Sequence, residues 1–271
     1  MKNRIGAFIN AYVHHSIEDA LKGISNAGFR NVELLSTPGL AKDLLPDPEQ
    51  ITQRDIDNYL TMCRKYELSI NGIYYYKGGR KLFDYEAAVD RLKKMVDMAV
   101  KFGSPYVITD TDEVDSTDRE KYFYRYIRET CDYAQSNAVI VCLDIHGDWC
   151  RSGKRAVEIL RKVGHPQLGI NYCTGNVIYY EGVRPEEDIE HALPYMRRIH
   201  IKDSSGIYRN YDFPALGEGT VNFRKIFNCL KGFQGPMNAE LDFASSEKPL
   251  EEINEALKRS FVFLKGLDLE I

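Results

Sequence analysis

The 271-residue sequence predicts an α/β chain of the (β/α)8 barrel class, and three observations carry that prediction. Short β-type runs alternate with longer amphipathic stretches from end to end. Such units number about eight, in a chain close to the roughly 250 residues typical of the barrel. Several strand runs are apolar on both faces, as parallel strands covered on two sides must be. No G-x-G-x-x-G follows a strand, which disfavours a doubly wound open sheet.

The elements follow in order. Residues 4–12 form a first strand, and SIEDALKGISNAGF a helix with Ser16 at its N-cap, Asp19 three residues on and Gly28 at its end. NVELLS (31–36) is the second strand, and after a longer connection DIDNYLTMCRKYE is helical. LSINGIYYY is the third strand; FDYEAAVDRLKKMVDMAVKFG has apolar residues at helical spacing and closes on glycine. PYVITDT is a strand, followed by a helix over 117–137. AVIVCLDIHG is a strand, GKRAVEILRKVG a helix, and LGINYCTGN (168–176) a strand closed by a turn-like Thr-Gly-Asn. PEEDIEHALPYM opens with proline and acidic residues, which suit a helix first turn. RRIHIKDSS, NFRKIFNCLKGF, MNAELDFA and PLEEINEALKRSFVFLKGL complete the alternation as strand, helix, strand and helix. Linkers are short and none is of low complexity, so residues 1–271 read as a single barrel domain.

A formal net charge of −4 gives no support for binding nucleic acid or a membrane surface. No apolar run reaches membrane-spanning length and the N-terminus lacks a cleavable leader, so a cytoplasmic location is expected. Six cysteines are scattered without a C-x-x-C pair, as expected of reduced thiols rather than a zinc knuckle or redox dithiol. The acidic stretch 110–118 matches no calcium-loop spacing and reads as solvated carboxylates. The oligomeric state is left open, a homo-oligomer included.

In a (β/α)8 enzyme the chemistry gathers at the C-terminal ends of the strands. The sequence places Glu33 at the end of strand two, Asp144 and His146 at strand five, and Cys173 at strand six. Strand seven brings His200 and Lys202, and strand eight Glu240 and Asp242, each pair two apart and so on one face. Each alone has an ordinary reading as a satisfied buried histidine, a packed thiol or a capping carboxylate. Four adjacent strands ending in carboxylate, thiol, imidazole and carboxylate instead form a series of metal-ligand types.

HIKD (200–203), LGEGTVNFRKIF (216–227) and AELDF (239–243), with LDIHG and NYCTGN as weaker matches, resemble the xylose isomerase-like TIM barrels of the sugar isomerase/epimerase superfamily. The resemblance implies one divalent metal held by Glu, Asp, His and Glu on strands five to eight. Carried onto this chain, those positions are Asp144, Cys173, His200 and Glu240. Two match; Glu is shortened to Asp at 144, and Asp becomes Cys at 173. The family's metal is Mn2+ or Mg2+, but a thiolate suits zinc, which therefore enters as an alternative.

The resemblance further implies a small-molecule sugar substrate and proton abstraction beside its carbonyl, with Asp144 and Glu240 as acid/base pair. His146 is then a candidate proton carrier or a support for Asp144, and Lys202 a stabiliser of developing negative charge or a structural ion pair. Glu33 and His14 are candidates to line the mouth, and YYYKGG (74–79) and YRNYDF (208–213) are candidate rim loops. The LGEG loop is a candidate ligand contact. A lyase or dehydratase using the same enediolate, and a non-catalytic sugar-binding protein with a decayed metal site, are the competing functions.

Overall fold

Eight parallel strands close on themselves in chain order, the last pairing with the first. They are β1 (Ile5–Phe8), β2 (Asn31–Ser36), β3 (Ser69–Tyr75), β4 (Tyr106–Thr109), β5 (Ile140–Asp144), β6 (Leu168–Cys173), β7 (Met196–Ile201) and β8 (Met237–Ala239). Between and after them run α1 (Ile17–Ala27), α2 (Gln53–Lys65), α3 (Tyr85–Phe102), α4 (Thr117–Ser136) and α5 (Gly153–Val163). The series continues with α6 (Thr174–Glu181), α7 (Pro185–Ala192), α8 (Phe223–Cys229) and α9 (Leu250–Lys265). This computed structural model describes residues 5–37, 44–76, 85–111, 114, 116–243 and 247–267. Arg4, the Lys-Gly-Gly of YYYKGG, Asp112, Glu113, Asp115, Phe83, Asp84 and Ala244 lie outside them.

Local chemistry sets the helix ends. Ser16 Oγ accepts from Asp19 N at the start of α1, and Gly28 ends it at φ 114°. A Cβ on Gly28 would sit 2.5 Å from the Phe261 ring, so glycine is required twice over. Asp188, in the acidic first turn of α7, reaches across to the start of α5, accepting from Gly153 N at 2.6 Å and Lys154 N at 3.2 Å. The apolar faces so fixed meet the outer faces of the strands, and β6 is buried along its whole length.

Three boundaries depart from the sequence expectation. The first strand ends at Phe8, and residues Ile9–Tyr12 turn into a 3-10 helix. A short, fully buried apolar run carries no period that separates strand from helix. Tyr12 then donates to Asn254 Oδ1 of α9 at 2.8 Å. Thr-Gly-Asn after Cys173 is the first turn of α6 rather than a closing turn. It is stitched to its neighbours: Thr174 Oγ1 donates to Lys202 O at 2.6 Å, and Asn176 Nδ2 to Ile145 O at 2.9 Å. The last strand is three residues long, leaving Glu240 and Asp242 just beyond it. One ladder bond, Glu240 N to Ile201 O at 2.9 Å, still places Glu240 beside β7.

Candidate active site and metal centre

Parallel pairing puts Cys173 opposite His200, His200 opposite Asn238, and Asp144 opposite Asn171. Because side chains alternate across each strand, polar residues at these registers point together into the barrel. Glu33, Asp144, Cys173, His200, Lys202 and Glu240 are all buried.

The structure brings together Cys173, His200 and Glu240, whose ligand atoms lie within 4.8 Å of one another. Glu240 Oε2 is 3.0 Å from His200 Nδ1 and accepts from Cys173 Sγ at 3.3 Å. Asp144 stands at the edge of this group, its Oδ1 3.7 Å from His200 Nδ1. The same carboxylate accepts from Asn171 Nδ2 at 2.6 Å and from the Tyr74 hydroxyl at 3.1 Å. Glu33 accepts from the far side of His200, with Nε2 at 3.0 and 3.1 Å from its two oxygens. The imidazole is thus gripped at one nitrogen, while buried Nδ1 makes no aligned hydrogen bond despite its short contact with Glu240.

Lys202 occupies the other oxygen of Glu240. Its ammonium donates to Glu240 Oε1 at 3.0 Å, Asp242 Oδ2 at 2.8 Å and Asn176 Oδ1 at 3.1 Å. Those three acceptors match the three protons of an ammonium. The Phe213 face lies 3.8 Å from Nζ and closes a further side.

Charge and burial separate the carboxyl groups of Asp144 and Glu240. Burial raises Asp144 to about 6, with Glu240 adding to the rise and His200 opposing it. Burial also opposes ionisation of Glu240, but Lys202 and His200 outweigh it and hold the group well below the usual carboxylate range. The same balance raises His200 above the ordinary imidazole range: burial opposes its charge, and Glu33 and Glu240 prevail. Burial, reinforced by Glu240, pushes the Cys173 thiol up to about 12. A bound cation would reverse that preference, because a coordinated thiol is deprotonated.

The donor set fits a metal. Nδ1 of His200 lacks an aligned partner where it faces a thiol and a carboxylate oxygen, and Lys202 leaves that oxygen unclaimed. Thiolate, imidazole and carboxylate together are a zinc-type set.

His146 stands apart from the triad. Its Nε2 is 3.0 Å from the Tyr180 hydroxyl and its Nδ1 3.8 Å from Asp110 Oδ2, with the Tyr76 ring edge-on. Burial and the charge of Lys202 lower it to about 4. His14 lies exposed on the turn before α1 and outside these contacts. The 208–213 loop does reach the site, since the Tyr211 hydroxyl donates to Asp242 Oδ1 at 2.6 Å. The LGEG loop faces inward to Asp203, which accepts from Gly217 N, Gly219 N and Val221 N at 2.9–3.1 Å. A carboxylate of the chain itself therefore fills that backbone cradle.

Sequence reasoning passed over Arg198, Asn171, Asn238, Asn176 and Tyr180. The first three had a usable signal: each lies two residues before a candidate ligand, on the same strand face. Asn176 and Tyr180 belong to α6, whose first residues, Thr-Gly-Asn, have the composition of a turn.

No curated protein sequence matches the chain. Among solved structures, a xylose isomerase-like TIM barrel protein from Mycobacterium smegmatis in complex with magnesium shares 20% identity at a TM-score of 0.76, covering 97% of each chain. The D-allulose 3-epimerase of a Methylomonas species shares 17% identity at a TM-score of 0.76, again covering 97% of each. The probable 3-DHS dehydratase AsbF of Bacillus anthracis, involved in petrobactin synthesis, shares 18% at 0.75, covering 97% of this chain and 98% of that one. At such identities these likenesses show the fold. The family model described as xylose isomerase-like TIM barrel, however, matches residues 21–265 of the sequence itself. With a closed eight-stranded barrel beneath that match, the chain belongs to the xylose isomerase-like TIM barrel family.

Proposed function

We propose that this protein is a divalent-metal-dependent isomerase or epimerase of a keto-sugar or related polyol. The observation that carries the reading is the meeting of Cys173, His200 and Glu240 at the strand ends, with Asp144 3.7 Å from the same imidazole. Cys173, His200 and Glu240 would hold the ion, and Asp144 is placed to join them. When bound, the ion supplies a Lewis acid for a carbonyl and its neighbouring hydroxyl. With a thiolate among the donors, the chemistry favours zinc over the Mn2+ or Mg2+ of the oxygen-rich Glu, Asp, His and Glu set.

Asp144 and Glu240 are a carboxylate pair pushed apart in pKa, the pattern by which one site offers both an acid and a base. Ionised Glu240 accepts the proton from the carbon beside the carbonyl, and the electron pair moves into the enediolate. Asp144, protonated for part of the time near neutral pH, returns a proton to the opposite face or the neighbouring carbon. His146, joined to the Tyr180 hydroxyl, is placed to carry a proton to or from a substrate hydroxyl. Lys202 acts through Glu240, holding its charge and orientation.

Loss of a β-hydroxyl from the same enediolate would make the protein a dehydratase, and the likeness to the Bacillus anthracis enzyme supports that second reading. Metal analysis of the purified protein, followed by a panel of keto-sugars with products identified by mass, tests the proposal. The expected result is about one zinc per chain and a product isomeric with its substrate. A product lighter by one water favours the dehydratase. Tight sugar binding without turnover would overturn both in favour of a binding protein.

A further inference from the structure

Among the described residues Arg198 is the largest fully buried side chain, and nothing in the proposed chemistry uses it. It lies on β7 two residues before His200, on the inward face. One guanidinium nitrogen donates to the Asn71 carbonyl and another to Glu33 Oε2. The guanidinium lies over the Tyr106 ring, 5.2 Å from its centroid. A Cβ on Gly72 would stand 2.5 Å from Arg198 Nη1, so this glycine makes room for the crossing. Glu33 also accepts from Asn238 Nδ2 at 2.6 Å, and Asn71 Nδ2 in turn donates to Asn238 Oδ1 at 2.8 Å.

We propose that Glu33, pinned by Arg198 and Asn238, is the positioning residue of the metal centre, holding His200 by Nε2 so that Nδ1 faces Cys173 and Glu240. The inference rests on the metal reading above. An ionised carboxylate can only accept, so the nitrogen it meets must be Nε2–H. The nitrogen left to a cation is then Nδ1, the atom that lies 3.0 Å from Glu240 Oε2. Phe8 stacks on the imidazole at 5.0 Å and 18°, and Tyr74 at 6.0 Å and 23°, which fixes the plane of the ring while Glu33 fixes its rotation. A carboxylate behind a ligating imidazole orients the ring and raises its donor strength, and its loss costs about 10–100-fold in metal affinity.

A merely structural Arg–Glu pair makes a different prediction. Replacing both members of a buried pair with apolar groups of similar volume is often neutral for stability. The Glu33→Leu/Arg198→Met double variant therefore separates the two roles. We expect the metal-free variant to keep its barrel circular dichroism, with a melting temperature lowered only by the acceptor that His200 Nε2 and Asn238 Nδ2 lose. Zinc alone, titrated into chelator-stripped protein, should bind the variant about 10–100-fold more weakly. Glu33→Gln/Arg198→Met restores an oxygen acceptor and should recover most of that loss. A second readout needs neither variant nor metal: 15N-histidine spectra of the wild type should show a slowly exchanging Nε2 proton on His200. Equal zinc affinity in wild type and the Leu/Met variant, or absence of that protected proton, would overturn the role of Glu33. A wild type that shows the proton and takes up no metal would instead overturn the metal centre, and with it the purpose assigned to Glu33.

Discussion

The two halves of the barrel mouth treat charge in opposite ways. Around β7 and β8 buried cations meet carboxylates within the barrel: Arg198 meets Glu33, His200 meets Glu33 and Glu240, and Lys202 meets Glu240 and Asp242. Just past β5 one polar group is held more loosely. His146 is 29% exposed, meets a tyrosine hydroxyl, and lies 3.8 Å from Asp110 Oδ2. A saturated network fixes a field and resists rearrangement, whereas a partly exposed imidazole can exchange protons with a ligand. On the proposed reading, the β7–β8 side holds the metal site in place and His146 beyond β5 lets a proton move.

The largest effect should follow from breaking the saturated side at its centre. Glu240→Gln keeps the volume but removes the charge that meets Lys202, His200 and Cys173. We expect turnover to fall by about 10²–10⁴-fold, with loss of bound metal and retention of barrel circular dichroism. Near-native turnover on an identified substrate would contradict the assigned role. Next comes Lys202→Met, which leaves Glu240 and Asp242 facing one another without their shared cation. Breaking a buried pair of this kind costs about 3–5 kcal/mol, readable as a shift in the denaturant midpoint. An unchanged midpoint would show that the network carries no such strain.

A smaller effect is expected from Cys173→Asp. Replacing sulfur by a carboxylate hardens the donor set, so relative affinity should move from zinc toward manganese or magnesium. Were Cys173 merely packed against Glu240, the new buried carboxylate would lower the melting temperature, and Mn2+ would not restore it. Melting curves of both proteins with and without Mn2+ distinguish these outcomes.

How much of this was legible in the sequence differs between the two halves. On β7 and β8 the period of two alone pairs His200 with Lys202 and Glu240 with Asp242, and both carboxylates do reach the same ammonium. Arg198 obeys the same period but escapes notice, because a buried arginine is rare enough to be read as surface. Its burial depends on acceptors from two other strands, Glu33 and Asn71, with Glu33 held in turn by Asn238, which no local pattern reveals. On the β4–β5 side the partner of His146 comes from α6, and Thr-Gly-Asn resembles a turn until Gly175 is seen to let Lys202 pack against it. The fold was the easier inference, since strand–helix alternation is written locally while the site is assembled from long-range registers.

The mildest prediction concerns the loose side and turns on the sign of two opposing titrations. His146 is held at about 4, first by burial and then by the charge of Lys202, against an ordinary value of about 6.5. As pH falls from about 6.5 toward 4 the unfolded chain takes up this proton before the native one does, so the group's contribution to stability is lost over that window. Asp144 works the other way. Burial raises it to about 6, so the native protein binds its proton first and gains stability as pH falls through 6 toward the unfolded value. In the wild type the two slopes partly cancel between pH 6 and 4. His146→Phe keeps a ring at this position while removing one slope, which leaves that of Asp144 exposed. Unfolding free energy of the variant relative to the wild type should therefore rise by about 1–2 kcal/mol between pH 6.5 and 4, a modest value because the imidazole is partly solvated. Parallel curves for the two proteins would mean that His146 charges as readily in the native state as in the unfolded one. The contrast between a fixed and a labile half of the mouth would then fail on its labile side.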